Sequence, residues 1–315
     1  MYKFFIAIFF LFFAGSGYTQ NSPSSLSIDW AKKKCSDLGF KPNTERFGNC
    51  VLQLSRNDEI NSDSQKTVTP LNQLPKIQSP PLLKTFKDCD VCPEMVMIPA
   101  GTFMMGTKDD PFAKVQPAKD EQPQHSVSIR TFSIGKYEVT QEQWYSVMGN
   151  LPSKFKGRTL PVEQVSWDDV QEFIEKLSAK TGKKYRLPSE AEWEYSARSG
   201  SQTEFSFGNS GDDLEKYAWF TNNSSNQTHP VGEKQPNAFG LFDMHGNVWE
   251  LTQDCWVENY IGAPIDGSAR YWDGCWKVLR GGSWANFPQS LRSSLRNKTT
   301  RSVFSNEGFR VVRDN

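Results

Sequence analysis

Apolar residues follow three different rhythms along the chain, and each predicts a different element. The first is a continuous run: after Lys3, ten apolar residues from Phe4 to Phe13 lead into small residues around Ala14, Ser16 and Gly17. That order is the charged, apolar and small-residue pattern of a secretory signal, placed at residues 1–20. As a helix the run spans only about 15 Å, roughly half a hydrocarbon core, so no membrane span is expected once the signal is removed.

The second rhythm has the helical period. In "SWDDVQEFIEKLSAKTG", Val170, Phe173, Ile174 and Leu177 share one face, Ser166 caps the start and Gly182 marks the stop. "TQEQW" and "SEAEW" repeat the start signal, Thr140 with Gln143 and Ser189 with Glu192, a hydroxyl answered by an amide or carboxylate three residues on. Three amphipathic helices are expected. The third rhythm is short and strand-like, in "EMVMIPAGTFMMGT" and "HSVSIRTFSIGKYEV". After Ser199 all three fade into more than 110 residues dense in Gly, Asn, Ser and Trp. Such a stretch is uncommon in a folded domain unless loops carry function or are held by disulfides or metals.

Before the first helix, residues 21–56 hold little apolar material and two cysteines, and are expected to form a Cys-stapled helical hairpin. Residues 57–87, rich in Asn, Ser, Gln and Pro, read as a linker, which leaves 88–315 as the main domain. Six cysteines suggest three local pairs, Cys35 with Cys50, Cys89 with Cys92 and Cys255 with Cys275, although six allow 15 connectivities. With the signal, they point to an exported, oxidising location. "CDVC" has redox spacing, but Pro93 and a strand follow it, which favours a structural bridge.

Charge then removes some functions. Lys+Arg and Asp+Glu are both 36, so no global field favours nucleic acid. Basic residues gather locally: from Lys277 onward eight Lys or Arg stand against Glu307 and Asp314. They read as internal wiring to earlier acidic segments or as an anion site. His125, His229 and His245 are too scattered to announce a metal centre. "FGLFDMHGNVWELTQD" is more pointed, because Asp243, Asn247, Glu250 and Asp254 place hard oxygen donors around the turn at Gly246, an inventory that suits calcium. The same residues also allow a plain alternative, with Asn247 capping a turn and Trp249 in the core.

Seven ordered motifs, "PEMVMIPAGTFMMG", "YEVTQEQW", "PVEQVSWDDVQEF", "YRLPSEAEWEYSAR", "NAFGLFDMHGNVWELTQD", "VLRGGSWAN" and "GFRVVR", together resemble the formylglycine-generating enzyme, or sulfatase-modifying factor, superfamily over about residues 90–313. The resemblance implies a mixed α+β, C-type-lectin-like fold with low regular secondary structure, often calcium-stabilised. It places calcium on Asn247, the Val248 carbonyl and Glu250, with a second site around Asn222 and Asn223. The family's oxidases hold Cu(I) on two cysteines; the matching positions here are Asn286 and Leu291, which offer no soft thiolate, so copper is not expected.

The resemblance therefore implies an exported member outside the copper-dependent oxidases, with a binding or assembly role toward an envelope protein or peptide. Its ligand cleft is expected on the floor of Gly281, Gly282, Ser283 and Trp284, flanked by Asn286, Arg292 and Arg296, the two arginines at helical spacing. The alternatives are a protein-modifying or siderophore-maturation oxidoreductase using another metal, and a carbohydrate-binding module.

Overall fold

The computed structural model describes residues 32–36, 51, 83–108, 118–300 and 303–314. The chain divides into two compact units, Met1–Gln78 and Ser79–Asn315. In the first, residues 32–36 form a helical turn with Cys35 buried and disulfide-bonded. Cys50, the expected partner, lies outside the described residues, as do the expected signal and most of the expected hairpin and linker.

In the second unit the strands are β1 (Thr85–Phe86), β2 (Met95–Ile98), β3 (Gly101–Met105), β4 (His125–Ile129), β5 (Phe132–Gly135), β6 (Tyr185–Arg186), β7 (Trp249–Cys255), β8 (Lys277–Arg280), β9 (Arg296–Thr299), β10 (Glu307–Gly308) and β11 (Val312–Arg313). The helices are α1 (Gln141–Met148), α2 (Trp167–Thr181), α3 (Glu190–Arg198) and α4 (Leu214–Tyr217). One sheet runs β1-β2-β5-β11-β6, a second β10-β7-β8-β9, and β3 pairs with β4 alone. This is a mixed α+β fold with modest regular structure, most of it before Ser199.

The sheets explain why short apolar runs sufficed. β2 and β5 lie inside the five-stranded sheet, Met95 opposite Gly135 and Ile98 opposite Phe132, and β5 is buried at every residue. β11 enters between β5 and β6, Val312 facing both Ile134 and Arg186. That insertion draws the C-terminal basic segment into the interior. β7, β8 and β9 form an antiparallel meander, with β10 parallel to β7 at its edge.

All three expected caps are present as reciprocal capping boxes, on Thr140, Ser166 and Ser189. α1 and α2 pack through Trp144 and Phe173, whose rings stack at 5.3 Å, while Phe309 meets both edge-on. α3 corrects the amphipathic expectation, since all nine of its residues are buried. A helix with no solvent face must satisfy its charges inside the protein. Glu190, Glu192, Glu194 and Arg198 do so through the ion pairs described below. The Cys89–Cys92 and Cys255–Cys275 disulfides both form, the second closing the long β7–β8 loop. Among the described residues no helix is long and apolar enough to cross a membrane.

Candidate functional site

The Gly-Gly-Ser-Trp run turns sharply after β8. Gly281 and Gly282 adopt φ of +94° and +75°. A Cβ on Gly282 would sit 2.9 Å from both the Ser290 carbonyl and Leu291 Cδ1, so only glycine allows the following segment to close over it. Ser283 is buried and donates its hydroxyl to Asn286 Oδ1 at 2.5 Å. The Trp284 indole N–H donates to the Ser305 carbonyl, and its ring meets Phe155 edge-on. Leu291, which the resemblance matches to a copper-cysteine position, is fully buried against Phe205, Leu214, Ala218 and Phe220.

The expected helical spacing of Arg292 and Arg296 is corrected by the structure. Pro288–Leu291 is a single 3-10 turn and Arg296 opens β9, so the two side chains leave in different directions. Arg292 grips Glu121, which also accepts from the Thr107 and Ser294 hydroxyls. Burial pushes the Glu121 carboxyl up, but those donors reverse the shift and hold it below its ordinary value. Arg296 grips Glu190 at 2.6 and 2.9 Å, and Arg280 reaches Glu194 at 2.5 Å. Arg198 donates to Glu194 and Arg186 pairs with Glu192. The basic tail is thus largely internal wiring, and α3 is its acidic counterpart. Arg301 lies outside the described residues.

The expected calcium donors Asn247, Val248 and Glu250 are all buried, but with other partners. Glu250 accepts Arg310 through both oxygens at 2.6 Å, plus the Trp193 indole N–H. Asn247, at φ +56°, accepts from the His229 N–H and donates to Glu138 Oε2 at 2.6 Å; the Val248 N–H donates to Glu138 Oε1. A guanidinium therefore fills the cationic place at Glu250, and these three residues do not fit calcium as a set. Glu138 and Asp243, however, add two carboxylates against the single Arg310. Burial pushes the Glu138 carboxyl far up, and Asp243 and Glu250 push it further. Asp243 rises to about 6, mainly through burial, and its Oδ1 has no hydrogen-bond partner. Glu138 was not singled out in the sequence because only the fold brings it across 109 residues to Asn247.

Asn223 serves its own turn, accepting from the Phe220 N–H and donating to the Ala218 carbonyl. Asp254 lies elsewhere, between the Glu190 and Arg270 N–H groups, pushed up to about 7 by burial and by Glu190. The histidines do not converge: His245 is buried on the Leu291 carbonyl and depressed to about 4 by burial, while His229 stacks on Trp219. Among the described residues no cluster of three or more His, Cys, Asp or Glu could hold a metal ion.

The large opening is a cleft of about 680 Å³ between the end of β3, the loop after α3 and the 3-10 turn at 288–291. Of the five expected cleft residues only Arg292 lines it; Ser283, Trp284, Asn286 and Arg296 do not. Gln124, Gln202, Asn209 and Gln289 supply amides, Thr203 and Ser290 hydroxyls. None of these stood out in the sequence, since amides and hydroxyls are common in loops. Arg198 and Arg292 are paired with Glu194 and Glu121, and Lys108 and Glu204 add one exposed charge of each sign, which leaves a polar wall with little net charge.

A family model described as "Sulfatase-modifying factor enzyme 1-like domain" matches residues 81–315. Chaperone protein LppX of Paenibacillus barcinonensis is 31% identical over 249 residues, 62% of this chain and 85% of its own length. The formylglycine-generating enzyme of Bos taurus is 29% identical over 289 residues, 70% of this chain and 75% of its own. Among solved structures, PvdO from Pseudomonas aeruginosa matches with a TM-score of 0.68 at 38% identity, covering 74% of this chain and 98% of that one. On this breadth of match, and with the mixed α+β architecture shared, the chain belongs to the sulfatase-modifying factor enzyme 1-like domain family.

Proposed function

We propose that the 79–315 unit is an exported binding or assembly domain that holds an extended polypeptide segment of an envelope protein in its 680 Å³ cleft. The observation that carries this reading is the cleft wall itself. Its amides and hydroxyls both donate and accept, which matches alternating main-chain N–H and C=O groups, and its volume lies in the range of ligand sites. No cysteine or histidine is among the described residues that line it. Asn286 and Leu291 supply no thiolates for Cu(I), so the reading excludes a copper-dependent formylglycine-generating oxidase. The name of the LppX relative, a chaperone protein, supports a binding role. Disulfides and the N-terminal apolar run support export. Paired arginines and zero net charge leave nucleic acid disfavoured. Within this reading a structural calcium is placed at Glu138 and Asp243 rather than at Glu250; these are two acids, short of a three-acid cluster, so main-chain carbonyls and water would have to complete its shell.

The test uses reduced, carboxymethylated α-lactalbumin as an unfolded polypeptide. Fluorescence anisotropy should show binding on the order of micromolar, weakened about tenfold by Gln202→Trp or Ser290→Trp, which fill the cleft from its wall. Absence of binding, or binding untouched by both substitutions, overturns the reading. So does aldehyde formation on a sulfatase-type cysteine peptide incubated with the protein, copper and O2, which would establish the oxidoreductase alternative instead.

A further inference from the structure

Away from the cleft, the loop between β7 and β8, residues 256–276, presents three exposed rings. Tyr271, Trp272 and Trp276 are each close to half exposed. The loop is fastened at its base by Cys255–Cys275 and by the Trp256 N–H, which donates to the Trp276 carbonyl at 2.8 Å. The outer rings are also held from within, because aromatic and cationic groups alternate from the interior to the surface. Arg296 lies 4.4 Å from the Tyr260 centroid and 4.6 Å from that of Trp256; Lys298 lies 5.2 Å from Trp256 and 4.6 Å from Trp276. A second sandwich places the Lys277 ammonium 4.2 Å from both Trp167 and Tyr271. The inner anchor of the first stack is Arg296 on Glu190.

Two consequences follow for a ligand. Trp276 and Tyr271 are held by their cations before anything binds, so little side-chain entropy of these two rings opposes binding. The positive charges are engaged: Lys298 pairs with Glu258 at 3.1 Å, and Arg296 with Glu190. A cationic partner on the outer face of Trp276 would meet an ammonium already on that ring, and an anionic one would meet the exposed carboxylates of Glu258 and Asp273. What suits an exposed ring beside carboxylates is a neutral polyol with an apolar face. A pyranose has both, C–H bonds to lie on the indole and hydroxyls to donate to carboxylates.

We propose that the 256–276 loop binds a neutral segment of a glycan chain, sugar rings stacking on Trp276 and Trp272 with hydroxyls donating to Asp273 and Glu258. Trp276 and Trp272 each offer a ring, so a chain rather than a single sugar is the ligand. This inference stands independently of the cleft.

The test is calorimetric titration of the disulfide-intact full chain with cellohexaose, chitohexaose and mannohexaose. Saturable binding to at least one is expected, weakened about tenfold or more by Trp276→Ala and by Trp272→Ala and unchanged by Ser290→Trp. Trp272 is not part of the ring-and-cation stack, so Trp272→Ala remains decisive should Trp276→Ala disturb the fold, which urea unfolding would report. Absence of binding to all three sugars overturns the proposal, as does binding that the folded Trp272 variant leaves unchanged. Dimerisation abolished by Trp272→Ala would make the surface a self-interface and overturn it too.

Discussion

Arg310 meets Glu250 end to end: its Nε and Nη2 each lie 2.6 Å from a different carboxylate oxygen, and neither side chain reaches solvent. The remaining donors go to the Gly135 and Phe242 carbonyls. This one guanidinium offsets Glu250 beside the further acids Glu138 and Asp243. Arg310→Met should therefore destabilise the protein by about 3–5 kcal/mol, because it leaves buried carboxylates uncompensated. Arg310→Met combined with Glu250→Met should recover much of that loss. Urea unfolding of the two single variants and the double variant measures the coupling; additive losses would show that the pair does not act as a unit.

The helices were legible because their signals are local. A Ser or Thr with its partner three residues on needs nothing from the rest of the chain, and Thr140, Ser166 and Ser189 all cap as read. The ion network was legible only as composition. The basic excess after Lys277 pointed to internal partners, but nothing local says that Arg296 answers Glu190 across 106 residues or Arg292 answers Glu121 across 171. The site was the least legible part. Ser283 and Trp284 look like a cleft floor in sequence, yet the double-glycine turn folds Leu291 down onto Gly282, and the opening lies on the far side of that turn, among unremarkable glutamines.

Calcium should act through Asp243. Its carboxyl, raised to about 6 chiefly by burial, must be ionised to hold a cation, so stabilisation by calcium should grow as pH rises through that value. At about pH 7.5, calcium at roughly 100 times its dissociation constant would add about 2.7 kcal/mol and raise the melting temperature. The increase should be reversed by chelation, be absent at about pH 5 and be lost in Asp243→Asn. Calorimetric melts that show no calcium response at either pH would empty the pocket of this role.

Glu307 gives a cleaner pH test, since among the described residues only the Thr299 hydroxyl donates to its side chain. Burial raises its carboxyl from an ordinary 4.5 to about 7. A group whose pKa is higher folded than unfolded contributes stability that is complete below the unfolded value and lost as pH rises through the folded one. Glu307→Gln keeps the neutral shape at every pH. Relative to this variant, the natural protein should lose on the order of 2–3 kcal/mol between about pH 5 and about pH 8. His245, depressed to about 4, runs the opposite way but is common to both proteins and cancels in the comparison. Equal pH profiles from urea titrations would place the Glu307 carboxyl near its ordinary value.

Leu291 and Asn286, the two positions that the resemblance matches to the family oxidases' copper cysteines, have unequal roles in the structure. Leu291 is fully buried, touches the apolar cluster of Phe205, Leu214 and Phe220, and its carbonyl takes the His245 ring. Asn286 is only half-buried, and its side chain accepts the Ser283 hydroxyl. Leu291→Ala should cost about 2–5 kcal/mol through lost burial and the cavity left behind. Asn286→Ala should cost about 1 kcal/mol for one hydrogen bond. Gly282→Ala should resemble the leucine variant, because a methyl at φ +75° presses on Leu291 and on the Ser290 carbonyl. Chemical denaturation of the three variants ranks them, and an Asn286→Ala loss as large as that of Leu291→Ala would show that the polar position, rather than the apolar one, holds this turn in place.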